Sequence, residues 1–261
     1  VVERTIELIT YCEKERWRLD LPPISYEVGT EEVHGGLVDL NNFRKFIRDL
    51  HAQLAECDLL EVWPCFIVGK VGTDLHTTYF DPEAARVLYE IVSPLGSLVK
   101  GHYTDWVANP EAYPESGMGG ANVGPEFTSE EYLALAELAR READMLRGRP
   151  DRTPSGIMGA LESTVLESNR WQKWLQPEEE GLDFEQLTPE RRSWLLRTGA
   201  RYIWTDDRVQ EARQKLYDNL SPVMSDPHQF VVDRIARSID HYITTFHLFD
   251  SLTLLTGERG F

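Results

Sequence analysis

GSLVKGHYTDW, residues 96–106, changes character halfway along. Ser97, Leu98 and Val99 suit a buried strand, whereas Lys100, Gly101, His102, Tyr103, Thr104, Asp105 and Trp106 crowd polar and aromatic groups onto its end. Parallel α/β folds collect their functional loops at the carboxyl ends of their strands, so this run predicts such a strand with chemistry on its last turn.

The pattern repeats outward in both directions. Upstream, VWPCFIV (62–68) ends in GKVGTDLHTTYFDP, and a helix from about Pro82 places Ala84, Val87, Leu88 and Ile91 on one face. Before it, PISYEV (23–28) ends in GTEEVHGG, followed by Leu40, Phe43, Ile47, Leu50 and Leu54 at helical spacing. Downstream, GGANV (119–123) ends in GPEFT, where Thr128 and Glu131 have capping-box spacing for a helix carrying Tyr132, Leu135, Ala136 and Ala139. Strand–helix alternation predicts adjacent parallel strands at 24–28, 63–68, 97–100 and 120–123, in that order, and hence the α/β class.

Four strands do not close a barrel. They form either a small open sheet or the C-terminal half of a TIM (β/α)8 barrel whose first half precedes residue 1. The chain opens on an amphipathic helix, VVERTIELITYCEKERWRLD, with no initiating Met, cap or preceding strand, so the beginning of the protein is expected to be missing.

From Gly148 the composition shifts. RGRPDRTPSG reads as a linker, and helices are predicted over 155–175, 188–204, 206–220 and 227–253. The expected division is therefore a barrel part, 1–149, and a helical extension packed on it, 150–261. Trp171, Trp174, Trp194, Tyr202 and Trp204 read as core of that extension, because aromatic stripes at helical spacing pack inward.

Composition narrows the function. With 261 residues and 41% apolar content the chain fills a real core; its net charge of −17, without a basic stripe, excludes the footprint of a nucleic-acid binder. The same charge disfavours anionic lipid, although Lys70 or Lys100 can hold a single phosphate locally. No apolar run approaches the roughly 20 residues of a membrane span and no signal peptide is visible, so the expectation is a cytoplasmic protein. Cys12, Cys57 and Cys65 lack any CxxC spacing and read as reduced core thiols.

The four strand-end loops carry the candidate site. The first offers Glu27, Glu31, Glu32 and His34; the second Lys70, Asp74 and His76; the third Lys100, His102 and Asp105; the fourth Asn122 and Glu126. Three histidines and several carboxylates on converging loops are ligand types for zinc or a similar divalent ion, with His34, His76 and His102 as the candidate ligands. The alternative is a set of hydrogen-bonded loop residues, because no HxH or HExxH supports the ligand reading. The glycines of GMGGANVGPEFT serve a tight turn, or let NVGPE aim backbone N–H groups at an anion.

These residues also carry a resemblance. SYEVGTE (25–31) resembles the SYxIGTE strand of the non-catalytic (Z-type) subunit family of class II tagatose-bisphosphate aldolase; GHYTDW resembles its HSTDYQ and NVGPEFT its KVGPALT. ARYIWTDDRVQEARQKLYDNL (200–220) resembles its RYYWPHSRI helix pair. Where that family has TEVPVPGG this chain has TEEVHGG, gaining His34, and where it has ALTFALREAL this chain has EFTSEEYLAL, gaining Glu126.

The resemblance implies a TIM barrel and a role supporting a separate catalytic aldolase chain. EVG with its acidic, Gly-rich loop also resembles the zinc-dependent catalytic class II aldolases, which implies a second reading. In it a metal-dependent ketose or ketose-phosphate aldolase or 4-epimerase would act by retro-aldol chemistry, with Asp105, Glu31 or Glu27 as acid–base groups and Lys70, Lys100, Asn122 and Glu126 binding substrate. A sugar-binding module without turnover is the third reading.

Overall fold

The computed structural model describes residues 1–29, 37–74, 76–149 and 151–251. Two compact units are formed, residues 1–123 with 245–261 and residues 124–244.

The first unit is built on four strands: β1 (Glu27–Gly29), β2 (Phe66–Val68), β3 (Leu98–Gly101) and β4 (Met118–Ala121). All neighbours are parallel and the order is β1-β2-β3-β4, as strand–helix alternation predicts. The first strand begins three residues later than expected. Cys65 N donates to Tyr26 O, and two residues earlier Trp63 N donates to Leu60 O in the preceding turn, so it does not extend the ladder.

Three helices accompany the strands: α1 (Val2–Arg18), α2 (Leu40–Glu56) and α3 (Pro82–Val92). Asp39 caps α2 by accepting from Asn42 N, and Asp81 caps α3 by accepting from Glu83 N and Ala84 N. Phe43, Phe46, Ile47, Leu50 and Leu54 bury one face of α2, while Leu40 stays exposed. α3 packs on β3 and β4, and α2 packs against both α1 and α3. Val28, Ile67 and Val99 are buried, and Leu88 lies so near Gly69 that a Cβ there would stand 2.5 Å from its Cδ1. Tyr26 Oη donates to Glu13 Oε1 at 2.7 Å, tying the start of β1 to α1.

A short helix, α4 (Ala112–Glu115), precedes β4 in a stretch for which the sequence analysis predicts no element. The β3/β4 register shifts by one residue between Val99 and Lys100, which makes Gly119 a bulge. Any Cβ at that position would fall 2.4 Å from Leu98 Cβ, so only glycine fits without movement.

The second unit is helical: α5 (Pro125–Leu146), α6 (Ile157–Glu167), α7 (Pro189–Gly199), α8 (Asp207–Leu220) and α9 (Pro227–Thr245). α5 starts before the expected Thr128 cap because Pro125 is pre-set for the first helical position, so Thr128 is interior to the helix. The helix expected over 155–175 stops at Glu167, where Asn169 turns left-handed at φ 53° before a 3-10 turn over Arg170–Trp174. α9 likewise ends earlier than expected, at Thr245. Trp171 and Trp174 are buried; Trp171 meets Phe184 edge-on and Trp174 meets Trp194, as core aromatics do.

The cysteines correct one expectation. All three are free thiols, but Cys57 is exposed at the end of α2 and Cys12 and Cys65 are only half-buried. Among the described residues no helix is long and apolar enough to cross a membrane.

Candidate functional site

Alternation along the strands turns Glu27, Phe66 and Leu98, then Val68 and Lys100, to the face opposite the buried Val28, Ile67 and Val99. That face is open: Leu98 is 43% exposed and Phe66 and Val68 are half-buried. Lys100 reaches across β2 along it. Its Nζ donates to Glu27 Oε2 at 2.5 Å, while His102 Nε2 lies 3.5 Å from Glu27 Oε1.

Burial alone would raise the Glu27 carboxyl. The hydrogen bond and charge of Lys100, helped by His102, outweigh it and hold the group below its ordinary value. The result is an ionised acceptor on the first residue of β1, a fixed cationic donor on β3 and, in the loop after β3, an imidazole that can accept or donate.

The loop after β3 is held from several sides. Thr73 Oγ1 donates to His102 O at 2.9 Å, and Thr104 N donates to Asn122 O at 3.0 Å. Tyr113 Oη donates to Thr104 Oγ1 at 3.2 Å. Burial pushes the Tyr113 phenol up; hydrogen bonding to Thr104 and Thr73 offsets part of this, and the Asp105 charge adds to it. Asp105 is buried beneath the loop. Tyr103 and Trp106 adopt φ of 57° and 52°, a left-handed backbone that aromatic residues rarely take, which surrounding contacts must sustain.

Glu27, Lys100 and His102 are thus brought together. Lys70 is half-buried on the β2 loop, and His76 is exposed on the same loop, where its backbone N donates to Asp74 Oδ1. Asn122 is exposed, and its main chain joins the β3 loop to the end of β4 by donating to Gly101 O. Glu126 belongs to the second unit, where it is buried and accepts from Ser238 Oγ at 2.8 Å and Tyr242 Oη at 2.5 Å. Glu31, Glu32 and His34 lie outside the described residues.

Thr73 and Tyr113 were missed by sequence reasoning. Thr73 sits in a GTD run and Tyr113 in a stretch between the third and fourth strands, neither singled out in the sequence. Neither has a local signal; each matters through a partner distant in sequence.

A divalent ion was tested against these side chains. Among the described residues no three His, Cys, Asp or Glu side chains are grouped to hold a metal, and the Glu27–His102 pair has Lys100 seated on it. The described donor set does not fit a metal. An apolar hollow of about 280 Å³ beside β4, between Tyr113, Met118, Gly120, Phe246 and Leu248, brings no ionised group to the site.

Known proteins share this fold. The crystal structure of a probable tagatose 6 phosphate kinase from Sinorhizobium meliloti 1021 superposes with a TM-score of 0.68 at 17% identity, covering 85% of this chain and 62% of that one. A glycerol-complexed fructuronate-tagaturonate epimerase from Cohnella laeviribosi gives a TM-score of 0.55 at 10% identity, covering 93% of this chain and 49% of the other. At such identities the likeness is one of fold, and the chain spans about three-fifths and one-half of those proteins. The model of the D-tagatose-1,6-bisphosphate aldolase subunit GatZ/KbaZ-like family matches residues 1–244, and the chain belongs to that family.

Proposed function

We propose that this protein is an accessory subunit of a class II tagatose-1,6-bisphosphate aldolase, acting in the cytoplasm by binding and supporting a separate catalytic chain. The observation that carries the reading is the family match over residues 1–244. The ketose bisphosphate is then the substrate of the assembly, cleaved on the partner. We further infer that β1–β4 are four consecutive staves of a (β/α)8 barrel. Their sequential parallel order supports this, as does an open face bearing Phe66, Val68 and Leu98 where a closed barrel would have its packed interior.

Within this reading, Glu27, Lys100 and His102 set the polarity of the open face of the sheet. The test is to purify a catalytic class II aldolase chain with and without this protein and follow tagatose-1,6-bisphosphate cleavage and its half-life. The protein alone should cleave nothing, should co-elute with the catalytic chain and should raise its activity or lifetime several-fold. Failure to associate, with no change in the partner, would sink the proposal.

A further inference from the structure

Glu27, Lys100 and His102 meet on the open face of the sheet with hydrogen-bonding capacity to spare. Glu27 Oε2 accepts from Lys100 Nζ at 2.5 Å, whereas Oε1 lies 3.5 Å from His102 Nε2, too far for a good direct bond. A hydroxyl oxygen about 2.8 Å from both atoms bridges such a gap, accepting from the Nε2–H tautomer and donating to the carboxylate. Lys100 keeps two further N–H groups beside Glu27 Oε2, so a neighbouring second hydroxyl can be bonded as well.

The surroundings suit the carbon skeleton that carries such hydroxyls. Phe66 and Val68 are half-buried on the same face and Leu98 is exposed. A Cβ at Gly120 would stand 3.3 Å from both Lys100 Cγ and Phe66 Cε1, so the lysine stem and the ring lie side by side next to the space the glycine leaves. The Glu27 and His102 side chains are 35% and 37% exposed, which keeps both open to a ligand from solvent.

Charge decides the ligand class. One carboxylate and one ammonium cancel, and the whole chain carries −17, so an arriving phosphate finds no net attraction to offset the loss of its water. A neutral group that both donates and accepts serves the two ions at once. Adjacent hydroxyls on a carbon chain are such a group.

We propose that Glu27, Lys100 and His102, with Phe66 beneath them, bind the vicinal hydroxyls of an uncharged polyol or ketose segment, and that Lys100 is not a phosphate ligand. This inference does not rest on the subunit reading: binding is measured on this protein alone, and partner support on the mixture.

The experiment uses saturation-transfer NMR and calorimetric titration of the full chain, in chelator, with D-tagatose, xylitol and inorganic phosphate as probes. Wild type should bind both uncharged probes with a roughly millimolar Kd, and equimolar phosphate should not displace them. Glu27→Gln and His102→Ala should each weaken binding by at least about fivefold, the size of one lost hydrogen bond. Circular dichroism checks folding, and Glu27→Ala or His102→Gln replaces a variant that is unfolded.

No binding of either uncharged probe to wild type at roughly 100 mM would overturn the proposal. So would a folded Glu27 or His102 variant that loses less than that factor, or displacement of the ketose by phosphate.

Discussion

Lys100 on β3 holds Glu27 on β1 by spanning the strand between them, although the two residues are 73 positions apart in sequence. The pair fixes the charge state of the open face. If Lys100 is replaced by methionine, the burial that opposes ionisation is left with only His102 against it, and the Glu27 carboxyl should rise from below its ordinary value of 4.5 towards or above it. Carboxyl-carbon NMR titration measures this directly; an unchanged Glu27 titration would refute the account.

The sign for stability follows. A carboxyl depressed in the folded state contributes stability that is complete above its unfolded value and is lost as pH falls through the folded one. Wild type should therefore gain on Lys100→Met in denaturant midpoint above about pH 5, and the gap should close at lower pH. With 35% of the Glu27 side chain exposed, the gap will be small.

Gly119 tests the bulge. Gly119→Ala drives a Cβ against Leu98 and should destabilise the protein by about 1–3 kcal/mol, the usual cost of overpacking. Removing the obstacle, Cβ included, in a Leu98→Gly background should shrink that cost, and urea unfolding of the four proteins measures the coupling. Equal costs in both backgrounds would mean that the contact is not the cause.

Two tyrosines of the helical unit should behave oppositely. Tyr242 donates to the buried Glu126 carboxylate, so Tyr242→Phe should cost about 1.5–3 kcal/mol. Tyr217 Oη is buried without a hydrogen-bond partner among the described residues, so Tyr217→Phe should change stability by no more than about 0.5 kcal/mol, or improve it. Thermal unfolding of the two variants decides; similar losses in both would contradict the assigned hydrogen bonding.

Trp171, in the 3-10 turn that follows α6, is buried against Phe184. Trp171→Ala should cost about 3–5 kcal/mol through cavity formation. Calorimetry should show a marked loss of unfolding temperature, whereas a surface role would leave it nearly unchanged.

Much of this was legible in the chain itself. Strand and helix periodicities are local, so four strands, three of them leading into helices, their parallel order and the polar load on GHYTDW could be read from residues a few positions apart. The short motifs that carry the family resemblance are likewise contiguous. Tertiary structure decided which of those polar residues meet. Glu27, Lys100 and His102 converge because sheet register and side-chain alternation bring them to one face, and neither is expressed within either segment alone. Glu126 looked like a member of the same set, yet it is held by Ser238 and Tyr242, more than a hundred residues downstream, where helix packing offers a buried carboxylate the donors it needs. Local pattern determined the elements; long-range packing determined the partners, because hydrogen bonds and ion pairs depend on distances that sequence spacing does not set.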